Sequence, residues 1–169
     1  GTLYSGRALE FDGVTDYVEN TSPSGLPSGD TFTVSAWVKD AGGANFFVIW
    51  RRDNATDNPI VRLVGTSREL EIRMLGRETI TADTGLTPNV WHHVVVSIDN
   101  LVVTFYVDGV QDGSGTFTVS NFIHANEWNT GWYQSAQYSN GELANLQVWD
   151  RAWSESDVQY AYTHPEKLI

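Results

Sequence analysis

Residues 53 to 58 read Asp-Asn-Ala-Thr-Asp-Asn, which puts four oxygen-bearing side chains, Asp53, Asn54, Asp57 and Asn58, into one short stretch. Calcium takes six to eight oxygens in flexible geometry, commonly from a single loop and its carbonyls. The same residue types are also the ordinary formers of solvated turns. A second stretch gathers Trp128, Trp132, Tyr133 and Tyr138 with Asn126, Asn129, Gln134 and Asn140. Aromatic faces stack on the C–H surfaces of sugars, and amides beside them fix hydroxyls. In the simpler reading, Trp132 or Tyr133 packs as a strand residue. Trp50, beside Arg51 at the end of an apolar run, is a further candidate for a ligand-facing surface. Asp12 and Asp150 offer another cation site, although Asp12-Gly13 more simply makes a turn.

Other chemistries find little support. Glu69 and Glu71 are the closest approach to a glycosidase pair, which needs two carboxylates at a defined separation of roughly 5 Å or more. Arg68 and Arg73 flank them and suggest charge pairing on an exposed strand. His92 and His93 are adjacent, so on a strand they face opposite ways and do not share one ion. The sequence has no Gly-x-Ser-x-Gly elbow, phosphate loop or His-Glu-x-x-His motif. It has no cysteine, which excludes thiolate zinc, a cysteine nucleophile and disulfides. With 10 basic against 21 acidic residues, the net charge is −11. Such a surface repels phosphate backbones and anionic lipid heads, so no nucleic acid is expected as a partner. No apolar run approaches the ~18 residues of a membrane span, so no membrane insertion is expected either. The expected activity is binding, not catalysis.

These residues need a frame. Charged residues make up only 18%, and aromatics 12%, which suits half-buried strands. Thr31 to Lys39 alternates cleanly, with Phe32, Val34, Ala36 and Val38 on one face and Thr33, Ser35 and Trp37 on the other. Further strands are expected at 8–12, 17–19, 45–52, 60–64, 69–75, 79–81, 91–98, 101–107, 117–119 and 131–133. The pair 60–64 and 69–75 reads as a hairpin, and Asp108-Gly109 marks a tight turn. Leu143, Leu146, Val148 and Trp149 form a closing strand, after which Ser154 caps a helix whose first turn carries Glu155 and Asp157. Regular turns and a single late helix predict an all-β, two-sheet antiparallel sandwich. Residues 1–169 are expected to form one domain, and the chain reads like a module of a larger multidomain protein.

Four segments then carry a resemblance. They are Ala8-Leu-Glu-Phe-Asp-Gly-Val-Thr-Asp-Tyr-Val18, Phe32-Thr-Val-Ser-Ala-Trp-Val38, Trp91-His-His-Val with Phe105-Tyr-Val-Asp-Gly109, and Gly141-Glu-Leu with Trp149-Asp-Arg-Ala-Trp-Ser154. Together they resemble the laminin-G-like, concanavalin-A-like jelly roll, and within it the bacterial laminin-G-type and pentraxin-like domains. The resemblance implies a jelly roll with one short C-terminal helix, at an extracellular site or on a cell or virion surface. It implies a calcium site at Asp53 and Asn54, with Asp57 in the same loop and Gln134 as the distant ligand. The acidic cluster that would pair a second calcium is absent from the 132–137 loop. Ala144 and Asn145 likewise stand where many relatives carry acids. The resulting expectation is a non-catalytic, lectin-like module, calcium-associated, binding a glycan or polysaccharide. Its aromatic and amide platform would be Trp128, Trp132, Tyr133, Tyr138 and Asn126, with Trp50 and Arg51. The alternative is a structural or adhesion module of an extracellular or viral surface protein that binds protein partners. A glycoside hydrolase-like domain ranks third.

Overall fold

The computed structural model describes residues 7–27, 29–43, 46–52, 58–74, 78–118, 127–133 and 137–167. Twelve strands appear among them: β1 (Leu9–Asp12), β2 (Val18–Asn20), β3 (Phe32–Asp40), β4 (Phe46–Arg52), β5 (Pro59–Val64) and β6 (Glu69–Met74), then β7 (Thr79–Gly85), β8 (His92–Asp99), β9 (Val102–Val107), β10 (Val110–Thr116), β11 (Trp128–Thr130) and β12 (Asn140–Trp149). The helix α1 spans Glu155–Thr163. The strands form two antiparallel six-stranded sheets. Sheet A runs β1-β12-β3-β8-β9-β10, and sheet B runs β2-β11-β4-β5-β6-β7. The sandwich expected from the alternation is the observed fold.

The core lies where the apolar faces of the two sheets meet. Phe32, Val34, Ala36 and Val38 of β3 face Phe47, Ile49 and Trp50 of β4, with Leu63, Leu70 and Ile72 alongside. The turn at Asp108-Gly109 has positive φ at both residues, as a two-residue hairpin of this hand requires. Two strand expectations shift. The segment read as a strand at 117–119 follows β10, and Phe117 is instead a buried residue whose N–H donates to the Leu101 carbonyl. The strand read at 131–133 lies at Trp128–Thr130, and beyond it Trp132 pairs with Tyr138 as an isolated bridge.

The outer face of sheet A is closed by α1. Val158 and Ala161 pack with Trp153, Val95 and Tyr106 there, and Trp149 joins them. Ser154 caps the helix in a reciprocal box with Asp157, satisfying backbone N–H groups that the first turn leaves unpaired. His93 lies beneath the helix, 2% exposed. Its ring stacks on Tyr162 and packs on Trp37, and Nε2 lies 3.0 Å from Ser35 Oγ. His92 points the other way and pairs with Asp108, so the two histidines separate as strand geometry requires.

Candidate functional site

Among the described residues the outer face of sheet B carries no helix. It carries a hairpin whose described residues are 131–133 and 137–139, paired at Trp132 and Tyr138, and the reason lies in β4. A bulge between Val48 and Trp50 interrupts the regular pairing with β5, and Val48's backbone groups point to the other edge of β4, where β11 has ended. The hairpin takes them up. The Val48 N–H donates to Ser139 Oγ at 2.8 Å, and the Val48 carbonyl accepts from Thr130 Oγ1 at 3.0 Å and Gly131 N at 3.1 Å. Gly131 has φ of +86°, and a Cβ there would run into the Phe11 ring and the Asp16 carbonyl. The bulge and this glycine together fix where Trp132, Tyr133 and Tyr138 stand.

Trp132 and Tyr138 are half-buried and both meet Tyr17, with ring centroids 5.8 Å and 6.3 Å away. Tyr17 is 45% exposed. The Arg51 guanidinium lies 5.3 Å from the centre of the Trp132 ring and 5.5 Å from that of Tyr133. Beside this cluster, Arg62 lies 4.1 Å from the Phe46 ring centre and 4.9 Å from that of Tyr133. Its Nε donates to Glu71 at 2.8 Å. Tyr133 is buried against Val48 and Ile60. Sheet register sets this composition: Asn129, Arg51, Ile60, Arg73 and Thr79 form one cross-strand row, and Val48, Arg62, Glu71 and Thr81 the next.

Several expected residues take other roles. Trp50 is a core residue, 1% exposed and packed on Phe32. The bulge is the cause, because it lets Ile49 and Trp50 both turn inward and sends Arg51 out. Trp128 is turned toward the main core, since alternation on β11 puts Asn129 on the outer side. Tyr133 supports the face from beneath and contributes little surface. Glu69 and Glu71 are not on an exposed, self-pairing strand, because β6 lies between β5 and β7. Glu71 pairs with Arg62, Arg68 with Asp40 at 2.7 Å, and Glu69 accepts from Ser67. Asp12 and Asp150 do not form a site. Asp12 pairs with Asn140 at the start of β12 and Asp150 follows its end, so roughly 30 Å of strand separates them. The Asp12 carboxylate accepts from the backbone of Val14, Thr15 and Asp16, and these bonds lower its pKa to about 2.

Asp53, Asn54, Asp57, Gln134 and Asn126 lie outside the described residues. Their described flanks are Arg51 and Arg52 on one side and Asn58 on the other, all buried. Arg52 Nη1 donates to the Pro27 carbonyl at 3.0 Å, and burial lowers the pKa of this side chain. Of these flanks only Asn58 offers a side-chain oxygen. Among the described residues no three of His, Asp and Glu converge on one point. The described residues therefore do not make up a calcium site. The members of the site that sequence reasoning missed are Tyr17, read as an ordinary strand residue, and Arg62, whose burial under an aromatic hairpin leaves no local signal.

Known structures share this arrangement of sheets. The native heptameric SAP-like pentraxin from Limulus polyphemus superposes with a TM-score of 0.76 at 18% identity, over 92% of this chain and 81% of that one. Domain 4 of AbnA, an extracellular arabinanase from Geobacillus stearothermophilus seen with arabinotriose, gives 0.67 at 20% identity, over 92% and 87%. The CBM40 of the Ruminococcus gnavus IT-sialidase, bound to sialyllactose, gives 0.74 at 12% identity, over 96% and 100%. At these identities the likeness is one of fold. Among curated protein sequences none matches. The laminin-G-like family profile, described as the concanavalin A-like lectin/glucanases superfamily, matches residues 12–159. The chain therefore belongs to the laminin-G-like family of that superfamily.

Proposed function

We propose that the protein is a non-catalytic, lectin-like carbohydrate-binding module that holds a glycan on the outer face of sheet B. The observation that carries this reading is the cluster of Tyr17, Trp132 and Tyr138, incompletely buried beside an Arg51 guanidinium. Rings that remain accessible beside polar groups suit the C–H faces and hydroxyls of a sugar. The carbohydrates present with the arabinanase domain and the sialidase module, which share this fold, support the same reading. A binding role fits better than hydrolysis because Glu69 and Glu71 are each engaged by a neighbour. The natural setting proposed is an extracellular or surface-exposed, multidomain protein.

Calcium belongs to the proposal through the oxygen-rich sequence of Asp53, Asn54 and Asp57 with Gln134. A glycan array run in calcium and again in chelator tests both parts. Binding in calcium, with Trp132→Ala at least tenfold weaker (~1.4 kcal/mol), is expected. A folded protein that binds no glycan in either condition would sink the reading, and binding indifferent to chelator would remove calcium alone. A second reading, adhesion to a protein partner, draws on the exposed apolar side chains Leu9, Val14, Tyr17 and Val18 along β1 and β2. Under that reading Val14→Asp weakens partner capture and leaves glycan binding unchanged.

A further inference from the structure

Among the described residues of this acidic chain, three basic side chains stand on the outer face of sheet B: Arg51, Arg62 and Arg73. They do not behave alike. Arg51 lies against the Trp132 and Tyr133 rings. Arg62 gives its Nε to Glu71, while its Nη1 is buried and meets no hydrogen-bond partner among the described residues. The Arg62 side chain is 5% exposed, so an unmet guanidinium N–H there carries a real desolvation cost. Arg73 is half-buried and has no ion-pair partner among the described residues. Glu71 is the nearest acid on its own strand, and Arg62 already holds it.

Register brings the two together. Arg62 faces Glu71 and Ile60 faces Arg73 across the β5–β6 ladder, so Arg62 and Arg73 are diagonal neighbours, their backbones roughly 7–8 Å apart. Tyr133 and Phe46 wall Arg62 on the hairpin side. On the other side lie Thr81, half-buried, and Thr79, exposed, which offer hydroxyls. Arg62, oriented by a carboxylate and walled by rings, and Arg73 on the neighbouring row offer N–H groups of the kind that a planar carboxylate accepts.

We infer that the glycan bound on this face is an acidic one, and that the carboxylate of a uronic or sialic residue is received at Arg73, beside the oriented Arg62 guanidinium. The inference rests on the glycan-binding reading above and narrows its ligand class. Electrostatic attraction so localised gives selectivity for the acidic sugar, although the chain as a whole is strongly negative.

The test uses paired probes on one array: carboxylate glycans, their methyl esters, neutral oligosaccharides of matching length, and sulfated glycans lacking carboxylates. Affinities are then measured in solution at low and high salt. The expected result is at least a tenfold preference for the carboxylate form over its ester. Arg73→Gln should reduce that preference to within about twofold. Arg73 is half-buried and has no ion-pair partner among the described residues, so this variant keeps the fold, whereas Arg62→Gln breaks a buried ion pair and is read only if its melt is intact. Equal binding of ester and acid, or a preference unchanged in Arg73→Gln, overturns the inference while the glycan-binding reading stands. Preference for sulfated glycans over carboxylate ones also overturns it. A folded protein that binds no probe overturns both.

Discussion

His93 should make this protein acid-labile in a defined window. The ring is buried between sheet A and α1, among Trp37, Tyr162 and Ser35, and its Nδ1 meets no polar partner among the described residues. Burial pushes its pKa down from 6.5 to about 4, opposed only in part by the nearby Asp108 carboxylate. A histidine held neutral in the fold takes up its proton more readily once unfolded. The stability from this group is therefore complete above the unfolded pKa and is lost as pH falls from 6.5 toward 4. With those two values, the folded state loses about 2.5 kcal/mol between pH 7.5 and pH 4.5. For a chain of this size that is a fall of about 5–10 °C in Tm. Urea unfolding of the wild type and of His93→Phe across this range is the assay. Phe keeps a ring against Trp37 and Tyr162 and has no proton to accept, whatever it costs at neutral pH. The two stability curves should diverge by about 2.5 kcal/mol as pH falls to 4.5. Parallel curves would show that His93 is not held neutral, and the account of the α1 interface would fail with it.

Other perturbations probe the ligand face and the frame behind it. Ser139→Ala leaves the Val48 N–H buried without its acceptor and should cost about 1–3 kcal/mol in urea unfolding, with weaker glycan binding as the hairpin loosens. Gly131→Ala forces a Cβ into Phe11 at a left-handed backbone position and should destabilise by at least ~1–3 kcal/mol on a thermal melt. Glu71→Leu strands the Arg62 guanidinium in a buried setting, with an expected loss of about 3 kcal/mol by chemical unfolding. Ser154→Ala removes the α1 cap and should cost about 1 kcal/mol, read in the same way, with glycan affinity unchanged.

The sandwich was legible because burial imposes a strict period of two. Phe32 to Val38 shows that period without a fault, so both faces of β3 follow from the letters alone. Turn chemistry was equally plain at Asp108-Gly109, where the backbone conformation demands those residue types. The period fails at β4, and the site depends on that failure. A regular strand from Phe46 would put Trp50 outward and Arg51 inward, so the bulge exchanges an indole for a guanidinium on the ligand face. An extra residue in a ladder has no composition of its own, and nothing in Phe-Phe-Val-Ile-Trp-Arg announces it. Trp132 and Tyr138 could be nominated from their neighbourhood in sequence. Tyr17 could not, because its place beside them depends on β2 pairing with β11 across more than a hundred residues. Arg62 was hidden for a related reason: its surroundings come from β4, β6 and the hairpin paired at Trp132 and Tyr138 together.

That pairing pattern bears on how the molecule comes to exist. β1 pairs with β12, and β2 with β11, so the first strands of the chain find their partners only among the last. The other half of each sheet is built from sequence neighbours, β4-β5-β6-β7 and β8-β9-β10, whose hairpins can form early. On a ribosome, β1 and β2 wait through the synthesis of nearly the whole chain, with Phe11 uncovered and two strand edges open. Tyr17 meets Trp132 and Tyr138 only when this last seam closes. Glycan binding would then appear late in refolding, after the hairpins have formed, as a direct signal that the two ends of the chain have met.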